Sequence, residues 1–263
     1  MTRQALLNAM LPGVCCIILA GCGSSRLSHY PGFLERKNAM NGMTIVTDFI
    51  FIEGLIGDTD KVDLTENREL AANVLRRCED SLKLRGYQIQ KTLLTSVGLL
   101  MGPATVYKVA RTVAEREASE EDLPAGSAPF YVDQTLNDTT RLRLAHVYNS
   151  LINVPQKEEG TTTIIPEAAL LNSITDSSNT LMVLIAGGVN VPVSKGIGEK
   201  NSTPVMTHGV ITVDRGSHFS IMLFVLDMKT GEVIWDDRKH VQGGVIYSEK
   251  IYSILGDLLE EFP

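Results

Sequence analysis

Between Met43 and Ile89 the apolar residues change their spacing twice, and that switch restricts the chain to a fold in which helices pack on a sheet. Met43 to Glu53 (MTIVTDFIFIE) is dense in β-branched and aromatic residues, the composition of a strand. Asp63 followed by Glu66 has the form of a capping box that opens a helix. Leu70, Ala71, Val74, Leu75, Cys78 and Leu82 then recur at helical spacing. Gly86 predicts the C-cap. Tyr87 and Ile89, alternating with Gln88 and Gln90, begin a second strand. A helix with one apolar stripe and a sheet with an apolar face each bury that surface against the other.

Further along, Leu93 to Met101 (LLTSVGLLM) reads as a buried strand running into a turn, and Ala104 to Glu117 as a helix. Asp138 to Ile152 is a second helix, with Leu142, Ala145, Tyr148 and Ile152 expected on its inner side. Pro166 suits the first turn of a short helix through Asn172. From Thr180 the pattern becomes β. Leu181 to Val193 is a strand interrupted by Gly187-Gly188, and Met206 to Asp214 and His218 to Asp227 are strands. Lys229-Thr230-Gly231 is a tight turn, and Glu232 to Val241 is the returning strand. A last helix presents Ile251, Leu255, Leu258 and Phe262. The expected class is α/β: a mixed sheet with flanking helices and a C-terminal antiparallel meander. It forms one domain over 43–263, with a helical insertion at about 98–160.

The first residues carry a different message. Arg3 gives a positive start, Leu6 to Ala20 is largely apolar, and Leu19-Ala20-Gly21-Cys22 follows. A short apolar core ending in small residues makes a secretory signal, here residues 1–21, and the core is short of the roughly 20 apolar residues of a span. The last four residues resemble the lipobox of bacterial lipoproteins. That resemblance implies cleavage between Gly21 and Cys22, lipid on the Cys22 thiol, and a polar tether over 22–42. Gly23, rather than Asp, follows the cysteine, which in such lipoproteins implies the periplasmic side of the outer membrane.

Composition narrows the rest. The formal charge is −7, and loss of Arg3 makes the processed chain slightly more acidic. An acidic chain without a basic cluster does not suit nucleic acid, whose binding relies on Lys and Arg. With Cys22 acylated, Cys78 is the one other cysteine of the processed chain, so no internal disulfide is expected. It falls on the apolar stripe and reads as a buried, inert thiol.

No pattern assigns a catalytic residue, a metal ligand or a cofactor. Lys195-Gly196-Ile197-Gly198-Glu199-Lys200 lacks the GxxxxGK[ST] spacing of a phosphate loop. Asp214, Ser217 and His218 sit together, but in turn composition and without a GxSxG elbow. His29, His146, His208, His218 and His240 match no dense ligand spacing, although the last three fall on neighbouring expected strands. Asp236 and Asp237, adjacent along a strand, point to opposite faces and read as a solvated strand end.

The run Gly86-Tyr87-Gln88-Ile89 at the end of a helix, and Ile221 to Asp227 followed by Thr230-Gly231-Glu232-Val233-Ile234-Trp235, resembles a group of envelope lipoproteins. The group includes the curli secretion channel lipoprotein, exopolysaccharide export lipoproteins and lipoprotein activators of penicillin-binding proteins. The resemblance implies an α/β sandwich similar to an anticodon-binding fold, and covers about half of the processed chain. Fold similarity does not transmit function; because no catalytic pattern stands out, the expected role is non-enzymatic: binding envelope proteins or copies of itself in export or wall assembly, with the membrane reached through the lipid. The resemblance brings no binding residue with it. The alternatives are a periplasmic hydrolase and a glycan- or small-molecule-binding module.

Overall fold

The computed structural model describes residues 33–37, 40, 42–54, 59–101, 103, 105–154, 162–175, 178–191, 205–207, 210–212 and 216–263. The residues of the signal and lipobox reading (Gly21 and Cys22 among them), and also His29, Lys195 to Lys200, His208 and Asp214, lie outside these.

A short helix α1 (Phe33–Lys37) precedes β1 (Met43–Glu53), β2 (Lys61–Asp63) and the long helix α2 (Leu64–Leu84). Then come β3 (Ile89–Val97), β4 (Val106–Ala110), α3 (Val113–Arg116), β5 (Ala125–Ser127), β6 (Tyr131–Val132) and α4 (Asp138–Ile152). The remainder is α5 (Asn172–Thr175), β7 (Thr180–Asn190), β8 (Val205–Thr207), β9 (Val210–Thr212), β10 (His218–Asp227), β11 (Glu232–Gln242) and α6 (Ser248–Glu260). Nine strands form one mixed sheet in the order β11-β10-β7-β1-β2-β4-β5, with β3 pairing β1 and β6. β1 runs parallel to β3 and β7, while β10 is antiparallel to both β7 and β11. The fold is α/β, as the spacing predicts.

Both faces of the sheet are covered. Ile221, Leu223 and Val225 of β10 point into a core shared with α2 and α6, alongside Cys78, Leu255 and Phe262. Met222, Phe224 and Leu226 point the other way, against Leu144, Tyr148 and Leu151 of α4. A strand buried on both faces needs a continuous apolar run, and this is the physical reason for Ile221-Met222-Leu223-Phe224-Val225-Leu226.

The α2 ends follow their sequence signals. The Asp63 side chain accepts from the Glu66 N–H at 2.9 Å. At the other end Gly86 and Tyr87 donate to the carbonyls of Lys83 and Leu82, closing a Schellman turn.

Four expectations are corrected. Ala104 to Glu117 is not one helix: it holds strand β4 and the single-turn α3, which carries the full capping box of Thr112 and Glu115. Val106, Tyr107 and Val109 are β-formers, and pairing with β2 and β5 satisfies them. The stretch 98–160 thus carries α4 and also three short strands that widen the sheet. On α4 the buried residues are Thr140, Leu144, Val147, Tyr148 and Leu151, and Leu142 is 64% exposed. Gly187-Gly188 does not interrupt β7, which runs unbroken against β1 and β10. A Cβ on Gly188 would lie 2.1 Å from the His218 carbonyl oxygen, so glycine there permits the close approach of β10. Met206 to Asp214 is not a single strand, because β8 and β9 pair antiparallel as a separate two-stranded unit.

Candidate functional site

Asp48 sits in the middle of β1, fully buried. Its carboxylate accepts from Ser96 Oγ at 2.8 Å and from the N–H groups of Leu99 and Leu100 at 3.0 and 3.2 Å. Burial raises its pKa above the usual carboxylate range, against the pull of those donors. The geometry pins the turn after β3 to the centre of the sheet. Beside it Thr95 Oγ1 donates to the Thr47 carbonyl at 2.7 Å, so it accepts from the Tyr148 hydroxyl at 2.6 Å. This chain of bonds fastens α4 to two strands.

Asn67 performs a similar task on the other face. It accepts from Phe51 N–H at 2.6 Å and donates to the carbonyls of Phe51 and Asp63, both at 2.8 Å. Phe51 lies beyond the part of β1 that β3 reaches, and Asn67 stands in for the missing strand. Asp63, also buried, pairs with the guanidinium of Arg116 and ties α2 to α3.

Ser217 and His218, which the sequence groups in a turn, are enclosed. Ser217 Oγ accepts from Val191 N–H at 2.9 Å and lies 3.2 Å from both Asn190 Oδ1 and the Val191 carbonyl, clasping the end of β7. His218 is only 5% exposed. Asp236 and Asp237 are buried at 8% and 4% exposure, which corrects the solvated strand end. As register dictates, Asp236 opposes Phe224 and Asp237 opposes Leu223, so they face different layers. α6 packs against β11, and no local pattern around Trp235 announces that both carboxylates are buried. Cys78 is fully buried, 3.9 Å from the Met182 sulfur, and burial pushes its thiol up to about 12. His146 lies on α4, a different element from β10 and β11, which carry His218 and His240.

Ser220 and His240 form a cross-strand pair, Ser220 Oγ to His240 Nδ1 at 2.8 Å. That is within reach for a nucleophile and its base. Acyl transfer also needs N–H donors free to stabilise an oxyanion. Ser220 belongs to a strand laddered on both sides, by β7 and β11, so its neighbouring N–H groups serve the sheet. Among the described residues no group of three or more His, Cys, Asp or Glu side chains is placed to hold a metal.

One edge of the sheet remains open among the described residues. β6 pairs only with Ser96 and Val97 of β3, so among the described residues no strand covers the outer edge of β3 from Ile89 to Leu94. Beside that edge lies an open groove of about 470 Å³, between the first half of α2 and Tyr131. Arg68, Glu69, Arg111 and Asp133 set charges of both signs around Leu93 and Leu94, and Arg68 lies over the Tyr131 ring at 4.9 Å.

No protein-family model matches the chain, and no curated protein matches it significantly.

Proposed function

We propose that this protein is a lipoprotein of the cell envelope, acylated on Cys22 at the periplasmic side of the outer membrane, that works by binding another protein. The observation that carries the binding role is the open β3 edge with its groove. An extended segment laid along Ile89–Leu94 gains main-chain hydrogen bonds from the edge and side-chain contacts from the groove, as strand addition does elsewhere. The mixed charges of Arg68, Arg111, Glu69 and Asp133 favour a segment that itself carries both signs. The anchor rests on Leu19-Ala20-Gly21-Cys22 after an apolar core.

Photocrosslinkers placed in living cells at Glu69 and Arg111, with a control at Leu142 on the far side of the sheet, test the binding surface. A discrete adduct from both groove positions and none from Leu142 supports the reading, whereas equal patterns from all three overturn it. For the anchor, fatty-acid labelling is expected in the wild type and absent from Cys22→Ser. Equal labelling of the two removes the lipid from the proposal.

A further inference from the structure

The side of β10 and β11 that faces α4 carries two imidazoles. Register puts Ser220 opposite His240 and His218 opposite Gln242, so the two histidines are diagonal neighbours on one face. Their ring centres are 6.4 Å apart, with the ring planes 33° from parallel.

The hydrogen bonds fix which nitrogen of His218 carries its proton. His218 Nδ1 lies 3.3 Å from the Gly216 carbonyl, which can only accept, so Nδ1 bears the hydrogen of the neutral ring. Its Nε2 then carries a lone pair, and that atom is buried with no hydrogen-bond partner among the described residues. A buried acceptor left without a donor is costly, and a native structure keeps few of them. His240 is also held through Nδ1, by the Ser220 hydroxyl at 2.8 Å, an oxygen able to accept from it. Both rings are therefore oriented through Nδ1, and among the described residues neither Nε2 has a hydrogen-bond partner.

Orientation through the non-ligating nitrogen is what a metal-binding histidine needs, because it sets the tautomer and holds the ring. We propose that His218 and His240 are a two-imidazole site for a borderline divalent transition ion such as Zn²⁺, Ni²⁺ or Cu²⁺, with both Nε2 atoms as ligands and Ser220 orienting His240. Imidazole nitrogen suits these ions, and Mg²⁺ and Ca²⁺ prefer oxygen. With each Nε2 about 2.0–2.1 Å from the ion, the ring centres come to on the order of 5–6 Å apart. The observed spacing closes to this with a small swing of the exposed His240, while buried His218 stays still. Two protein ligands leave the remaining positions to water. Arg238, two residues before His240 and on the same face, is turned away to the Val154 carbonyl and the Phe224 ring.

The test is a titration of the purified full chain with Zn²⁺, after its accessible thiols have been alkylated, followed by calorimetry. The wild type is expected to take up one equivalent that both His218→Gln and His240→Gln lack. Ser220→Ala is expected to keep that equivalent with affinity lowered about tenfold, as loss of an orienting group does. Cu²⁺ should give an electron paramagnetic resonance spectrum with nitrogen splitting that His240→Gln loses. Because His240 is exposed, that variant folds and decides the matter if His218→Gln does not. An unchanged equivalent and an unchanged copper spectrum in His240→Gln overturn the site.

Discussion

A single side chain can do the work of a strand. Asn67 is almost wholly buried within the stripe that α2 turns to the sheet, and it satisfies both backbone groups of Phe51. Asn67→Ala leaves that N–H and carbonyl without partners, and each such loss costs roughly 1–3 kcal/mol. The expected destabilisation is about 3 kcal/mol, read from the denaturant midpoint at unchanged slope. A loss under about 1 kcal/mol would mean that water replaces the amide. His240 offers a second test, through pH. Its folded pKa lies below its unfolded value, so the unfolded chain takes up the proton first as pH falls. Above about 6.5 the ring is neutral in both states and contributes nothing. Below that value stability drops progressively toward the lowered folded pKa. Melting temperatures at about pH 7.5 and about pH 5.5 should therefore fall further in the wild type than in His240→Gln. Equal falls would show that the ring titrates alike in both states.

At the scale of elements, the strands and helices with strong periodic or capping signals were readable in the residues: β1, α2 with both its ends, the β10–β11 hairpin and α6. What escaped depended on neighbours distant in the chain. β4 is short and becomes a strand through β2 and β5, so its local text resembles a helix. Local spacing misplaces the inner face of α4 because Leu142 looks like core and Thr140 does not, yet Thr140 is buried and meets Ser173 at 3.1 Å. Of the polar centre little was legible. Asp48 and Asn67 stand as lone polar residues in apolar patterns, and only tertiary contacts say what each one holds.

The hairpin adds a subtler case. Simple alternation places Val233 and Trp235 on one face, but a bulge at Ile234 shifts the register against β10. Val233 therefore joins the α4 layer and Trp235 the α6 layer, where its ring meets Phe262 edge-on at 4.9 Å. Trp235→Ala should cost about 3–5 kcal/mol, the range for emptying a large core site. Thermal unfolding measures it, and a cost near that of a surface change would contradict the packing. Gly231, at φ 71°, turns the hairpin with its Cα so close to Ile165 that a Cβ would sit 2.3 Å from that carbonyl oxygen. Sequence anticipated the turn but not this contact, which comes from a segment 66 positions earlier (231 − 165).

For the molecule as a whole, the boundary of the domain lies earlier than the first strand. The span expected to act only as a tether, 22–42, contains α1, whose Phe33 is buried edge-on against Phe262 at 5.7 Å. Arg36 pairs with Glu232 at 2.7 Å, and Lys37 reaches the Pro263 carbonyl at 3.3 Å. Burying a phenylalanine contributes roughly 1.5–3 kcal/mol. A chain that begins at Met40 should thus melt about 5 °C below one that begins at Phe33. Matching melting temperatures would show that α1 rests on the surface without holding it.

This meeting of α1 with the last residues makes the domain a closed loop of chain, entered and left at a single point. A host protein can carry such a loop as an insert in one of its own surface turns, with a short linker on either side and the sheet undisturbed. The same closure governs its mechanics. A pull applied through both ends first parts Phe33 from Phe262 and Arg36 from Glu232, before the load reaches the strands of the sheet.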